Sequence, residues 1–311
     1  MNIFGHKKLI YISISVVAII SISIGVVFAL KLIAPKPVQK DTVVAAAKCP
    51  TGFITVPGNQ KYNTKDFCVM KYEAKFVNGV PTSRADNTPW VDIPQIYAVD
   101  VSKIACDGCH LMSENEWLTI AQNIMSVPSN WSLNAVGGGY IYSGHNDGSP
   151  AKTLVANTKD AASYSGIGDP EPKEITSDSA QNSQRRTLKL SNGQVIWDFS
   201  GNVAEWTTGQ TTGGQPGLKD ESNYTWKEWN SVDFNGNLTT KPVPGYSNNS
   251  ASIWSSQQGL GQLYSYTGED KKVGFVRGGS YSQGAYSGIF SLNLKYPPDY
   301  KDTAIGFRVS R

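Results

Sequence analysis

The segment from Cys106 to His110 has the residue types and the spacing of a haem attachment site. Two cysteines with two residues between them, followed directly by a histidine, can form two thioether bonds and supply an axial ligand to the iron. His110 also directly precedes a predicted helix start, and a single short motif is weak evidence for a cofactor. We therefore expect no haem here and interpret Cys106–Cys109 as a local disulfide.

The chain has 4 cysteines in total, an even number that suits disulfides outside the cytoplasm. We favour the pairing of Cys49 with Cys68, which ties a predicted hairpin, and of Cys106 with Cys109. Two other pairings are compatible with the sequence.

Other patterns that indicate catalysis or nucleic-acid binding are missing from the sequence. It contains no nucleophile elbow, no phosphate-binding loop and no zinc-type pair of cysteine pairs. The formal net charge is +3, and no run of lysine and arginine is longer than a pair. Because nucleic-acid binding depends on concentrated positive charge, we expect no nucleic-acid partner.

Two helices are predicted to position these groups. Ser113 and Glu116 form a capping box, which predicts a helix that ends before Pro128. The buried stripe of that helix is predicted to be Trp117, Ile120, Ala121 and Ile124. Pro94 predicts the start of the other helix, whose buried face is predicted to carry Tyr97, Val101 and Ile104.

Strands are predicted from β-branched and aromatic residues bounded by turn residues. They are Phe53–Val56, Phe67–Tyr72, Leu188–Leu190, Val195–Trp197, Phe275–Arg277 and Ile305–Val309. Asn192-Gly193 predicts a tight hairpin between two of them. Two helices with scattered strands and long loops indicate an α+β domain.

An apolar stretch without charged residues, Leu9 to Leu30, precedes these elements. Its length matches the about 20 residues that a helix needs to cross a bilayer. A cleaved signal peptide, the alternative, usually has about 7–15 apolar residues. We predict a cytoplasmic tail at 1–8, a transmembrane anchor at 9–31, a stalk at 32–48 and one extracytoplasmic domain at 49–311.

Three blocks of this domain resemble the sulfatase-modifying-factor family, which is the formylglycine-generating-enzyme type of C-type-lectin fold. They are His110–Trp117, Asp198–Trp206, and Arg277–Ser280 together with Gly306–Arg308. The Cys49–Lys75 stretch also looks like that family's first hairpin. The resemblance implies a C-type-lectin-like domain, more specific than the α+β class that the residues alone indicate.

The same resemblance implies what the enzymes of that family need for catalysis. They use two copper-binding cysteines shortly after the Gly-Gly-Ser motif. Gln283 and Gly288 stand at those places, and no cysteine follows Cys109. Without a thiolate there is neither a soft copper ligand nor a nucleophile. We therefore expect no copper and no enzyme of this type.

The segment Ser280–Ala304 instead resembles the region that diversity-generating retroelements rewrite in their variable proteins. That resemblance implies a scaffold interleaved with diversified, ligand-binding positions. The scaffold positions would be Ala285, Gly288, Phe290, Leu292, Asn293, Leu294 and Pro298. The ligand-binding positions would be Tyr281, Ser282, Gln283, Tyr286, Tyr296, Asp299, Tyr300, Asp302 and Ala304. Independently, tyrosine offers rigid contact area, and serine and aspartate offer adaptable hydrogen bonds, as in antibody paratopes.

The block around Asp198 further implies, by resemblance, a calcium site. Its ligands would be the carboxylates of Asp198 and Glu205 and the backbone carbonyls of Gly201 and Val203. Hard oxygen donors from a turn suit this ion. Alternatively, the two carboxylates satisfy loop amides around neighbouring tryptophans.

The prediction is a membrane-anchored protein at the cell surface that binds an external protein or glycan and is not an enzyme. A formylglycine-generating-type oxidase and an adhesin or carbohydrate-binding protein of fixed specificity are the alternatives.

Overall fold

The computed structural model describes residues 48–159, 184–233 and 255–311, which belong to one of two units of the chain, Ala46–Arg311. The predicted tail, the anchor at 9–31 and the stalk up to residue 47 lie outside these residues. In the part of the chain that the structure describes, no helix is long and apolar enough to cross a membrane.

The described residues form two α-helices and many short strands. The helices are α1 (Gln95–Ser102) and α2 (Glu114–Met125). The strands before residue 200 are β1 (Phe53–Val56), β2 (Phe67–Met70), β3 (Ala74–Val77), β4 (Val80–Ser83), β5 (His110–Leu111), β6 (Thr187–Lys189) and β7 (Val195–Trp197). The later strands are β8 (Ala204–Thr212), β9 (Thr225–Lys227), β10 (Leu263–Ser265), β11 (Lys272–Arg277), β12 (Leu292–Asn293), β13 (Ile305–Phe307) and β14 (Val309–Ser310).

These strands form a six-stranded and a four-stranded sheet. The six-stranded sheet has the order β13-β8-β11-β12-β10-β9, and the four-stranded sheet has the order β1-β2-β14-β5. The pairs β3-β4 and β6-β7 are separate hairpins. This sheet-rich α+β arrangement fits a C-type-lectin-like fold and confirms the predicted class. Each predicted strand overlaps a strand of the structure, although Lys71, Tyr72, Leu190 and Arg308 lie outside the strands.

Strand β8 fixes both ends of the segment Ser280–Ala304. It pairs antiparallel with β11, which precedes the segment, and parallel with β13, which follows it. Glu205 in β8 lies opposite Arg277 on one side and opposite Gly306 on the other. The segment therefore leaves and re-enters the sheet at the same level.

Helix α2 is built as its sequence predicts. The Ser113 hydroxyl accepts from the Glu116 amide, and the Glu116 carboxylate accepts from the Ser113 amide, which confirms the capping box. The stripe residues Trp117, Ile120, Ala121 and Ile124 are completely buried. The Trp117 indole donates a hydrogen bond of 2.8 Å to the Ile289 carbonyl, so the helix also supports the backbone of the C-terminal segment.

The face predicted for α1 is wrong. Tyr97 and Ile104 are 52% and 58% exposed, and of the three predicted residues only Val101 is buried. The reason is Gln95, whose side-chain amide donates to the carbonyls of Thr207 and Gly209 where the β8–β11 register shifts. A buried polar group needs such partners, and these bonds turn a glutamine rather than a tyrosine toward the core.

The hairpin and disulfide predictions are confirmed. Strands β6 and β7 pair antiparallel around Asn192-Gly193, where Gly193 has φ +82°. Both favoured disulfides, Cys49–Cys68 and Cys106–Cys109, are formed. Because the second one uses both sulfurs, neither cysteine is free to form a thioether with haem.

Candidate ligand-binding surface

A pocket of about 250 Å³ lies where the segment Ser280–Ala304 crosses the six-stranded sheet. Most of its lining comes from that segment and from Gly279 directly before it: Gly279, Ser280, Tyr281, Ser282, Gln283, Ser291, Asn293, Tyr296, Asp302 and Ala304. Ala204, Val276 and Ile305 from the underlying strands complete it. Apart from these strand residues the lining consists mainly of hydroxyl, amide and carboxylate side chains with two aromatic rings.

Two buried arginines hold the two ends of the segment. Arg277, directly before the segment, donates to the Glu114 carboxylate of α2, with Nη2 2.5 Å from Oε2. Arg308, just after it, donates through Nη2 to Glu205 Oε1 at 2.7 Å. Both arginines are completely buried, and each pair joins two of the three motif blocks. Burying a charge is tolerated only when it is paired and hydrogen-bonded, so these pairs fix where the segment begins and ends.

Glycines bring the start of the segment close to its middle. A Cβ added at Gly279 would lie 2.6 Å from the Ser287 Cα, and one added at Gly288 would lie 2.1 Å from the Gly261 amide nitrogen. The Gly288 amide donates to the Gly278 carbonyl at 3.1 Å. Only residues without a side chain fit this close approach, which is a structural reason for glycine at position 288.

The structure separates the two sets of positions by burial. None of the nine predicted ligand-binding side chains is buried, and Tyr281, Ser282, Gln283, Tyr296, Asp302 and Ala304 line the pocket. Tyr286, Asp299 and Tyr300 lie outside it. Of the predicted scaffold positions, Gly288, Phe290, Leu292, Asn293 and Leu294 are buried, whereas Ala285 and Pro298 are half-buried.

The rings at one side of the pocket are held by each other and by a carboxylate. Tyr296 and Tyr300 stack with their ring centroids 4.2 Å apart. The Tyr300 hydroxyl donates to Asp302 at 3.0 Å. Partial burial and then this carboxylate raise the pKa of Tyr300 to about 12, so its phenol stays protonated and able to donate at neutral pH.

Two further rings of the segment stack on rings outside it. Tyr281 lies 5.9 Å from the buried imidazole of His145, and Tyr286 lies 4.7 Å from the Trp226 indole with nearly parallel planes. Burial lowers the pKa of the His145 imidazole. His145 and Trp226 were missed in the sequence analysis, because their contacts with the segment join residues far apart in the chain.

The residues proposed for calcium do not fit that ion as they are folded. Both Asp198 oxygens accept from Arg186, each at 2.7 Å, and both Glu205 oxygens accept from Arg308. Burial raises the pKa of the Glu205 carboxyl, and Arg308 opposes that effect. The two guanidinium groups neutralise the charge that a cation would need. Among the described residues, no group of three or more histidine, cysteine or acidic side chains is arranged to hold a metal.

A further acid, Glu73, contacts the Asp198–Trp206 block and was not predicted from the sequence. Glu73 is buried, accepts from the Asn202 side chain and the Val203 amide, and lies 3.5 Å from the Lys75 ammonium. Burial, followed by repulsion from Asp198, raises the pKa of Glu73. These contacts place the block in a buried polar network that supports the turn after β7.

Comparison with known proteins finds similarity only among solved structures. No protein-family model matches the chain, and no curated protein is similar to it. Similar structures include a Major Tropism Determinant I1 variant (TM-score 0.41, 14% identity, 85% of this chain and 53% of that chain). They also include Treponema denticola variable protein 1 (0.32, 12%, 79% and 84%) and CarF (0.34, 14%, 83% and 92%).

The Treponema structure is, by its name, a variable protein, the class that the segment Ser280–Ala304 resembles. The chain spans about half the length of the Major Tropism Determinant structure. Every one of these TM-scores is below 0.5.

Proposed function

We propose that this chain binds an external macromolecule through the surface formed by Tyr281–Ala304. We further propose that the anchor at 9–31 holds this surface at a membrane. The observation that carries the proposal is that one segment combines accessible side chains with firmly held ends. Its accessible side chains surround a pocket, while its two ends are held by the buried pairs Glu114–Arg277 and Glu205–Arg308.

The chemistry of the accessible positions suits recognition of a macromolecule. Rigid rings supply contact area at low entropic cost, and short polar side chains adapt their hydrogen bonds to the partner. Tyr296 and Tyr300 are already stacked, so little side-chain freedom is lost when a partner binds.

The same division supports diversification of the segment by a retroelement. None of the nine positions is buried. Two of them, Tyr296 and Tyr300, pack against a core cluster, so the other seven can change with the least effect on the fold. The interleaved scaffold residues, such as Phe290 and Leu292, are completely buried and have no such freedom.

No catalytic role is part of the proposal. Gln283 lines the pocket where the resembled enzymes carry a cysteine, and Gly288 is buried against the backbone of Gly261. The four cysteines of the chain are all in disulfides. Copper-dependent oxidation of a cysteine-containing peptide by the purified chain would overturn this part of the proposal.

The test of diversification is the sequence of the DNA flanking the gene and of sibling genes. We expect a near-identical copy of the 280–304 coding segment that differs at adenines, beside a reverse transcriptase gene. We also expect variation confined to the nine codons. Sibling genes that vary equally at the buried scaffold codons would contradict diversification and favour an adhesin of fixed specificity.

A further inference from the structure

Four aromatic residues outside the segment form a continuous row on the outer strands of the six-stranded sheet. Tyr224 flanks β9, Trp226 lies in β9, Tyr264 lies in β10, and Tyr266 follows β10 directly. Neighbouring rings in the row are 4.8 to 5.7 Å apart between centroids. We call these four residues the aromatic row.

All four side chains are on the solvent side of the sheet. Each is half-buried, whereas the neighbouring strand residues Lys227, Leu263 and Ser265 are buried and only Thr225, at the start of β9, is exposed. Alternate residues of a strand point to opposite faces, and Tyr264 lies directly opposite Trp226 in the register. The row is therefore a property of the strand pairing.

The aromatic row is continuous with the proposed ligand-binding surface at two places. The Trp226 and Tyr286 rings stack with an angle of 2° between their planes. The Tyr286 side chain is 41% exposed. At the other side, Tyr264 pairs in register with Asn293, which lines the pocket. A partner that covers Tyr286 and the pocket thus also reaches the row.

The row is held rigidly. The Tyr224 hydroxyl lies 2.5 Å from the Glu269 carboxylate and 3.2 Å from the Leu294 carbonyl. Burial, and then the bond to Glu269, raises the pKa of Tyr224, so the phenol remains protonated. Rigid aromatic residues that need little ordering are the side chains most enriched at the centres of protein interfaces.

From this geometry we propose that the aromatic row is a fixed half of the binding surface and that the partner is a folded protein. The row comes from residues outside Ser280–Ala304, so it would contact every partner whatever the nine positions carry. The rings pack against one another, so mainly their edges are free to contact a partner. Sugars stack on open ring faces, whereas protein interfaces use ring edges and hydroxyls as well. This inference rests on the function proposed above.

The test uses the full chain with the nine positions randomised and selected for binding to lysozyme as a folded-protein probe, with dextran as a parallel glycan probe. Trp226→Ser and Tyr264→Ser are then introduced into several independent clones. The matched control is Phe76→Ser, which removes a 56% exposed ring from β3, outside the row. Affinity and unfolding temperature are measured for every variant.

We expect both row variants to weaken lysozyme binding by at least about tenfold in most clones, whatever the nine residues are, and the control to change it by less than about twofold. Unchanged affinity in the row variants would overturn the inference but not the proposed function. A requirement for the row only in dextran-selected clones would overturn the protein assignment. Failure to obtain any clone would overturn the proposed function and this inference with it.

If a serine variant unfolds, Trp226→Phe and Tyr264→Phe test the same contacts with a ring retained. A smaller loss of affinity at an unchanged unfolding temperature is then expected. Full affinity in both phenylalanine variants of such clones would overturn the inference.

Discussion

The accessible side chains of Ser280–Ala304 differ from the ion pairs at its ends in burial and in the parts of the chain that they contact. The accessible side chains are exposed or half-buried, and their contacts are mainly between rings, as in the Tyr296–Tyr300 and Tyr286–Trp226 stacks. The buried pairs Glu114–Arg277 and Glu205–Arg308 each join distant parts of the chain. The fold therefore holds both ends of the segment through ion pairs of buried arginines and leaves only the side chains on its outer surface free to vary.

Breaking one of the buried pairs should have the largest effect. Arg308→Met leaves the buried Glu205 carboxylate without its partner, and loss of one member of a buried pair costs about 3–5 kcal/mol. Urea unfolding of the full chain measures the difference. The double variant Arg308→Met with Glu205→Leu removes both charges and should recover part of the loss. A single variant as stable as the parent would contradict the role given to this pair.

Substitution within the segment should divide sharply between its two sets of positions. Phe290→Ala empties a completely buried site and should cost about 3–5 kcal/mol. Asp299→Ala and Ser282→Tyr alter exposed side chains and should change stability by no more than about 0.5 kcal/mol. Thermal unfolding of the three variants provides the comparison. Similar losses at the exposed and buried positions would show that the segment has no such division.

The ion pair of His110 should have a smaller, pH-dependent effect. The hydrogen bond that the His110 imidazole donates to the Glu116 carboxylate raises the pKa of His110 above its ordinary value. A histidine with a raised folded-state pKa contributes stability below its ordinary pKa, and this is lost as pH rises through the raised value. His110→Gln should therefore destabilise the chain at pH 5.5 and have little effect at pH 8.5. Because the imidazole is 44% exposed, we expect less than about 1 kcal/mol.

A pH series of unfolding temperatures for the parent and His110→Gln checks this expectation. A difference that grows with rising pH would contradict the sign.

Calcium should have the smallest effect. The Asp198 and Glu205 carboxylates are already paired with Arg186 and Arg308. Addition of calcium or of a chelator is therefore expected to leave the unfolding temperature unchanged. A ligand that binds only the folded state raises stability with its concentration, so a calcium-dependent rise would show that these carboxylates rearrange to bind the ion.

Local patterns in the sequence determined the elements whose stability is itself local. The capping box at Ser113, the hairpin at Asn192-Gly193 and both disulfides are formed as predicted. The capping box and the hairpin depend on residues close in sequence. The disulfides depend on a choice among the three pairings that four cysteines allow. The burial of Phe290 and Leu292 and the accessibility of Tyr281 likewise agree with the interleaved pattern of the segment.

Only the tertiary structure decided which distant groups are partners. Glu205 could be interpreted as a metal ligand from its sequence block, but its partner Arg308 lies in another block. The side-chain amide of Gln95 donates to a carbonyl of β8, and this contact orients α1. Trp226 stacks on Tyr286 at the sheet edge, where β9 pairs with β10. Buried charges and amides take whatever partner the folded chain brings within hydrogen-bond distance, and spacing along the sequence does not encode that distance.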